Sequence, residues 1–199
     1  MLNINKISNA LKYGGARPNL FKVALTVPEA LQTLIGNLAK DNFTYMCQAA
    51  QLPPSTLGSV TVPYMGREYK VAGNRTFADW NVTVMNDEDF DLKVSFEAWM
   101  AAINGHVHNV RAKGATSNPM SYKANAKVDQ YTKEGDIAVS YSLYGMFPTS
   151  VGAIELNWGT NNQIETFSVT FAYDYWVLSP AVQENGGSDI GTASEGPLE

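Results

Sequence analysis

Apolar and polar side chains alternate with period two through most of this chain, and that alternation narrows its possible folds more than any other feature. Phe21, Val23, Leu25 and Val27 alternate with Lys22, Ala24 and Thr26, and Ile137, Val139, Tyr141 and Leu143 alternate with Ala138, Ser140 and Ser142. Phe167, Val169, Phe171, Tyr173 and Tyr175 alternate with Ser168, Thr170, Ala172 and Asp174. Tyr122, Ala124, Ala126 and Val128 alternate with Lys123, Asn125 and Lys127. Shorter runs at 43–49, 59–63, 68–72, 77–85 and 153–158 bring the expectation to about nine strands. One apolar face per strand is the pattern of antiparallel sheets buried on a single side. No strand–helix–strand rhythm repeats, which argues against a parallel sheet. The expected fold is mainly β: an antiparallel β-barrel or sandwich with a flanking α-helix.

Three helices interrupt the strands. Leu92, Phe96, Trp99, Met100 and Ile103 make one helical stripe. It is expected to begin at Asn86 or Asp87, with Glu88 and Asp89 favourable to the macrodipole, and to stop near Asn104-Gly105. A second helix is expected over 28–39, with Pro28 at its start and an apolar stripe of Leu31, Leu34, Ile35 and Leu38. A third is expected over 3–13, ending at Gly14-Gly15.

Charge separates the body from its end. The chain carries 14 basic and 19 acidic residues in 199, a net charge of −5. Residues 179–199 hold four of those acids, no base and no aromatic, together with four Gly and two Pro. A segment so poor in apolar area cannot offset its ordering entropy. The expected organisation is one barrel domain over 1–178, carrying the 28–39 helix as an insertion, followed by a flexible acidic tail at 179–199. Without the tail the body has 14 basic against 15 acidic residues, which disfavours a nucleic-acid or anionic-membrane surface. No window approaches ~20 apolar residues, and the opening MLNINKISNALKYGG lacks a signal-peptide core. A soluble chain of intracellular type, without membrane insertion, is expected. Charged residues are only 17% while hydrophobic residues are 45%, so uncharged polar groups and Tyr must cover much of the surface. Such a surface desolvates cheaply and suits protein–protein contact.

Reactive chemistry finds no support. His106 and His108 have the spacing of a metal pair, but no other histidine exists, and both are read as loop residues after a helix. The acids at Asp87, Asp89 and Asp91 begin like a calcium loop, but Leu92 stands where Gly is needed and Ala98 where a bidentate Glu is needed. Cys47, the single cysteine, is read as a buried structural thiol whose side shares a strand face with Phe43 and Tyr45. No phosphate-cradling glycine loop is present. Lys123, Lys127 and Lys133, near Tyr122 and Tyr131, are read as the solvated row of a strand rather than a nucleic-acid groove. The sequons at Asn42, Asn74 and Asn81 are read as chance. No catalytic, cofactor-binding or metal-binding residues are assigned, and the chain is not expected to be an enzyme.

Several stretches are more specific than any periodicity. They are Ala16-Arg17-Pro18-Asn19-Leu20-Phe21, the block from Val71 through Arg75-Thr76-Phe77-Ala78-Asp79-Trp80 to Asp87, and Leu143-Tyr144-Gly145-Met146-Phe147-Pro148-Thr149-Ser150-Val151-Gly152. Leu156-Asn157-Trp158, residues 161–167 and Asp174-Tyr175-Trp176 follow. In this order, over roughly residues 13–177, the chain resembles the tail-tube proteins of contractile-tailed, T4-like bacteriophages. The resemblance implies a structural protein of the virion tail, assembled in the host cytoplasm. Its β-barrels would join into hexameric rings, and the rings would stack into a hollow tube inside the contractile sheath. The implied partners are further copies of itself, the tail sheath protein, baseplate tube proteins, a tape-measure protein and a tail terminator, with genome DNA passing through the lumen without specific binding. Family members carry a long hairpin that reaches the neighbouring ring, which places Tyr64, Met65, Arg67 and Tyr69 as inter-ring contacts. The 28–39 helix and the tail are departures from the T4-like pattern. Alternative readings are a baseplate tube-initiator, a type VI secretion-like tube protein, and a monomeric β-barrel holding a small ligand.

Overall fold

A computed structural model describes residues 11, 15–36, 42–108 and 118–179. The expected helix at 3–13 and nearly all of the expected acidic tail lie outside the described residues. Ser179, the first residue of the expected tail, is described, and its amide donates to the Ser140 carbonyl at 2.9 Å.

Nine strands are present among the described residues: β1 Phe21–Thr26, β2 Cys47–Ala50, β3 Thr56–Tyr64, β4 Arg67–Thr76, β5 Trp80–Met85, β6 Ala124–Tyr131, β7 Ile137–Val151, β8 Thr166–Ala172 and β9 Tyr175–Leu178. Seven form one antiparallel sheet in the order β1-β6-β7-β8-β5-β2, with β9 also on β7. The other two, β3 and β4, form a separate hairpin. β8 and β9 are one strand interrupted at residues 173–174: the register opposite β7 runs unchanged from Phe147↔Ala172 to Tyr144↔Tyr175. The interruption faces Gly145, whose φ of 69° only glycine adopts without strain.

Inward-facing residues of both halves of this sheet belong to one core. Val23 and Val128 contribute from the β1–β6 side, and Val82, Val84, Val169 and Phe171 from the β5–β8 side. The helix α3 (Asp91–Ile103) lays Leu92, Phe96 and Trp99 onto it. Phe96 meets Phe43, Phe167 and Phe171 edge-on with ring centroids 5.8–6.3 Å apart, and Trp80 and Trp99 flank Phe171. Met100 and Ile103 sit only half-buried at the margin of the stripe, while Ser95 and Ala102 are buried with it. The Ser95 hydroxyl donates to the Ile35 carbonyl at 3.1 Å. That bond ties α3 to α1 (Glu29–Ile35), whose Leu31 and Ile35 enter the same core. Of the expected stripe, Leu31 and Ile35 are therefore buried in the chain's own core. α1 stops at Gly36, and residues 37–39 of the expected helix lie outside the described residues.

Four local expectations are corrected. Residues 43–46 are not strand but belong to the short helix α2 (Asn42–Met46), which buries Phe43 and leaves Tyr45 exposed. Phe43 and Cys47 are four apart, so both reach the core from a helical turn as well as from a strand. Residues 153–158 form no strand; Leu156 and Trp158 project into solvent. α3 begins at Asp91 rather than 86–87, because residues 87–90 close a turn with Phe90 left-handed at φ 55°. Tyr122 ends the short helix α4 (Pro119–Tyr122), and β6 starts only at Ala124.

Candidate assembly surface

The β3–β4 hairpin is the most exposed pair of strands among the described residues: every residue in it except Gly73 is exposed. Nine residues of β3 at about 3.3 Å each give it a reach of about 30 Å. Register decides which side chains share a face. Val60↔Val71, Val62↔Tyr69 and Tyr64↔Arg67 are direct partners and stand on one side. Ser59↔Ala72, Thr61↔Lys70 and Pro63↔Glu68 stand on the other. One face is thus a bare ladder of Val, Val, Tyr, Tyr and Val crowned by Arg67. A lone two-stranded hairpin is marginal in water, and an uncovered apolar ladder of this size marks a contact surface.

The tip adds strain. Met65 (φ 45°) and Gly66 (φ 78°) are both left-handed, which is the two-residue turn that matches strand twist. Asn or Asp normally takes the first of these positions; methionine there costs roughly 1–2 kcal/mol. Met65 is nevertheless 87% exposed, so its own fold gives that side chain no packing. Of the four expected contact residues, Tyr64, Arg67 and Tyr69 share one face and Met65 leads them at the turn. Val60, Val62 and Val71 belong to the same ladder. Their signal was the alternation through 60–64, where the period shows two faces but not which one lacks a cover.

Among the described residues, the hydrogen bonds and ring contacts that tie the hairpin to the body lie at its root. The Trp80 indole donates to the Gln51 carbonyl at 2.6 Å, and the Trp176 indole to the Pro54 carbonyl at 3.2 Å. The Phe77 ring lies against Tyr173 and Trp176, with centroids 6.0 and 6.4 Å away. Phe77 and Trp80 come from the Arg75–Trp80 block and Trp176 from the Asp174–Trp176 block, so two motifs far apart in the chain converge on the root of this hairpin.

The remaining sites read from the sequence fall elsewhere. His106 and His108 are exposed in the turn after α3. No cluster of three or more His, Cys, Asp or Glu able to hold a metal occurs among the described residues. Cys47 is buried, and burial pushes its thiol pKa up to about 12, which keeps it protonated and unreactive. Lys123 is paired with Asp174 and Lys127 with Asp129, which also accepts a short hydrogen bond from Ser140. Tyr122 is buried against Phe147 and forms no part of a basic strip. No described helix is long and apolar enough to cross a membrane.

Comparison with known proteins decides the family. The family model for phage tail tube proteins matches residues 16–179. The chain belongs to the phage tail tube protein family. It is 37% identical over 175 residues to the tail tube protein gp19 of Enterobacteria phage T4, covering 87% of this chain and 98% of that one. Two solved assemblies share its fold at low identity. One is the six-fold symmetrised baseplate of the anti-feeding prophage, with a TM-score of 0.59 and 12% identity over 83% of this chain and 95% of the other. The other is a sheath–tube complex of an extracellular contractile injection system in its extended state, with a TM-score of 0.50 and 15% identity over 90% and 99%. This tail tube protein is a structural subunit of a phage tail and not an enzyme.

Proposed function

We propose that this tail tube protein closes into hexameric rings and that the rings stack through the β3–β4 hairpin, with Tyr64, Met65, Arg67 and Tyr69 contacting the next ring. The uncovered apolar ladder supports this reading more than any other observation. A neighbouring ring is present at every repeat of a tube, and covering five half-exposed Val and Tyr side chains supplies roughly 1 kcal/mol or more each. Within a ring, β1 and β2 each keep one edge without a strand partner among the described residues. Pairing those edges between subunits consumes them. The six-fold symmetry of the anti-feeding prophage baseplate supports the ring order, and the sheath–tube complex supports the tail sheath as an outer partner. Baseplate tube proteins, a tape-measure protein and a tail terminator complete the proposed contacts. DNA is proposed to pass through the lumen unbound, which suits a body whose lysines 123 and 127 are already paired. The 28–39 segment and the 179–199 tail are proposed as additions to the barrel domain.

Arg67→Glu tests the ring contact. The variant should remain folded, since Arg67 is exposed, and should fail to elongate tubes when mixed with baseplates. Elongation at the normal rate would remove the hairpin tip from the interface.

A further inference from the structure

We propose that Phe77, Tyr173 and Trp176 form a clamp that sets the angle of the β3–β4 hairpin, so that the register between rings is positioned by side chains at the hairpin root. This rests on the ring-stacking reading above.

The hairpin pairs with no strand of the main sheet, so its direction is decided at two stems. The incoming stem contains Pro53 and Pro54. Their fixed φ makes it stiff, and neither offers an N–H to a sheet. What a proline does offer is a carbonyl, and the Pro54 carbonyl receives the Trp176 indole N–H at 3.2 Å, with the Tyr173 hydroxyl at 3.4 Å as a weaker second contact. A carbonyl oxygen has two lone pairs and takes both. Burial and the nearby Asp79 carboxylate raise the Tyr173 pKa, which keeps that hydroxyl a donor. The outgoing stem is held by Phe77, whose ring leans on the same two side chains. One pair of aromatics therefore grips both stems.

Just beyond the clamp the hairpin has a built-in bend. Register shifts between Leu57 and Ser59, the mark of a β-bulge. Gly58 and Gly73 cross there so closely that a Cβ on Gly58 would stand 3.2 Å from the Asn74 carbonyl oxygen, and one on Gly73 would stand 3.2 Å from the Gly58 carbonyl. The clamp fixes where the hairpin leaves the barrel, and the glycine crossing fixes how it turns afterwards. Over a reach of about 30 Å, a tilt of ten degrees at the root moves the tip by about 5 Å, which is one strand spacing.

The test compares three variants of the full chain: Tyr173→Phe with Trp176→Phe, which deletes both donors and keeps aromatic rings; Phe77→Ala, which releases the outgoing stem; and Arg67→Glu at the tip. Each is followed by thermal melting, amide exchange in residues 55–58, elongation on baseplates, and the helical twist of any tubes seen by electron microscopy. A positioning role predicts melting close to wild type for the clamp variants, faster exchange at the root, and elongation slowed about tenfold, which is what loss of two neutral hydrogen bonds supplies. Tubes that still form should show an altered twist. Clamp variants that elongate at the wild-type rate with the wild-type twist overturn the clamp. If they do so while Arg67→Glu blocks elongation, the clamp alone falls and ring stacking stands. Normal elongation of Arg67→Glu beside impaired clamp variants removes the tip contact and keeps the clamp. A double variant that fails to fold leaves the decision to Phe77→Ala, which lies outside every strand.

Discussion

The Lys123 ammonium grips both carboxylate oxygens of Asp174, at 2.7 and 2.8 Å, across the gap where the strand opposite β7 is interrupted. Beneath the pair lies Gly145, whose amide donates to the Asn125 side chain at 3.2 Å. Asp174 also donates its amide to the Tyr144 carbonyl at 3.0 Å. The break between β8 and β9 is thus a fastened joint between β6, β7 and the last strand.

Gly145→Ala should be far more damaging than loss of the ion pair. An added Cβ there would overlap the Asp174 carboxylate, and the backbone is left-handed at φ 69°. Together these should cost about 2–4 kcal/mol in urea unfolding. Lys123→Ala should cost less than about 1 kcal/mol, because the Asp174 side chain is 53% exposed and solvent screens the pair.

Phe171→Ala should be the most destabilising of the core truncations, at about 3–5 kcal/mol by chemical denaturation. Its ring touches Trp80, Phe96 and Trp99, so the cavity would open between the sheet and α3 and could not collapse without moving both.

Cys47 should resist alkylation at pH 8 in the folded protein and react once urea unfolds it. Its folded pKa of about 12 lies above the free thiol value of 9.0. Between those values the unfolded chain has released a proton that the folded chain keeps, so the contribution to stability is full below pH 9 and falls as pH rises toward 12. Cys47→Ala should flatten that part of the stability–pH curve, measured by denaturant titration.

Met65→Asn should relieve strain in the isolated subunit, because Asn tolerates the left-handed turn position. Amide exchange at the hairpin tip should slow by a few-fold. If Met65 packs on the next ring, tube elongation should weaken in the same variant, so that local stability and assembly move in opposite directions.

Trp158→Ala should leave folding within about 0.5 kcal/mol of wild type by thermal melting, since Trp158 is fully exposed. A larger loss would show that Trp158 carries a packing role that its exposure denies.

The alternation through 21–27, 137–143 and 167–175 determined a mainly antiparallel sheet by itself, because one-sided burial leaves a period of two wherever it occurs. The stripe of Leu92, Phe96 and Trp99 marked α3 for the same reason at helical spacing. Elsewhere the pattern was silent or misleading. Phe43 and Cys47 satisfy a helical turn and a strand equally; packing against Phe96 goes with Phe43 in α2, while pairing with β5 sets Cys47 at the start of β2. Ile154, Leu156 and Trp158 alternate as a strand does, but they pair with no strand among the described residues. The hairpin shows the limit most clearly. Its two faces were legible in the residues from Val60 to Val71, whereas its lack of a strand partner among the described residues outside the hairpin was not. Periodicity reports which side chains share a face; whether that face is covered depends on what the rest of the chain brings alongside it, and only the tertiary structure decides that.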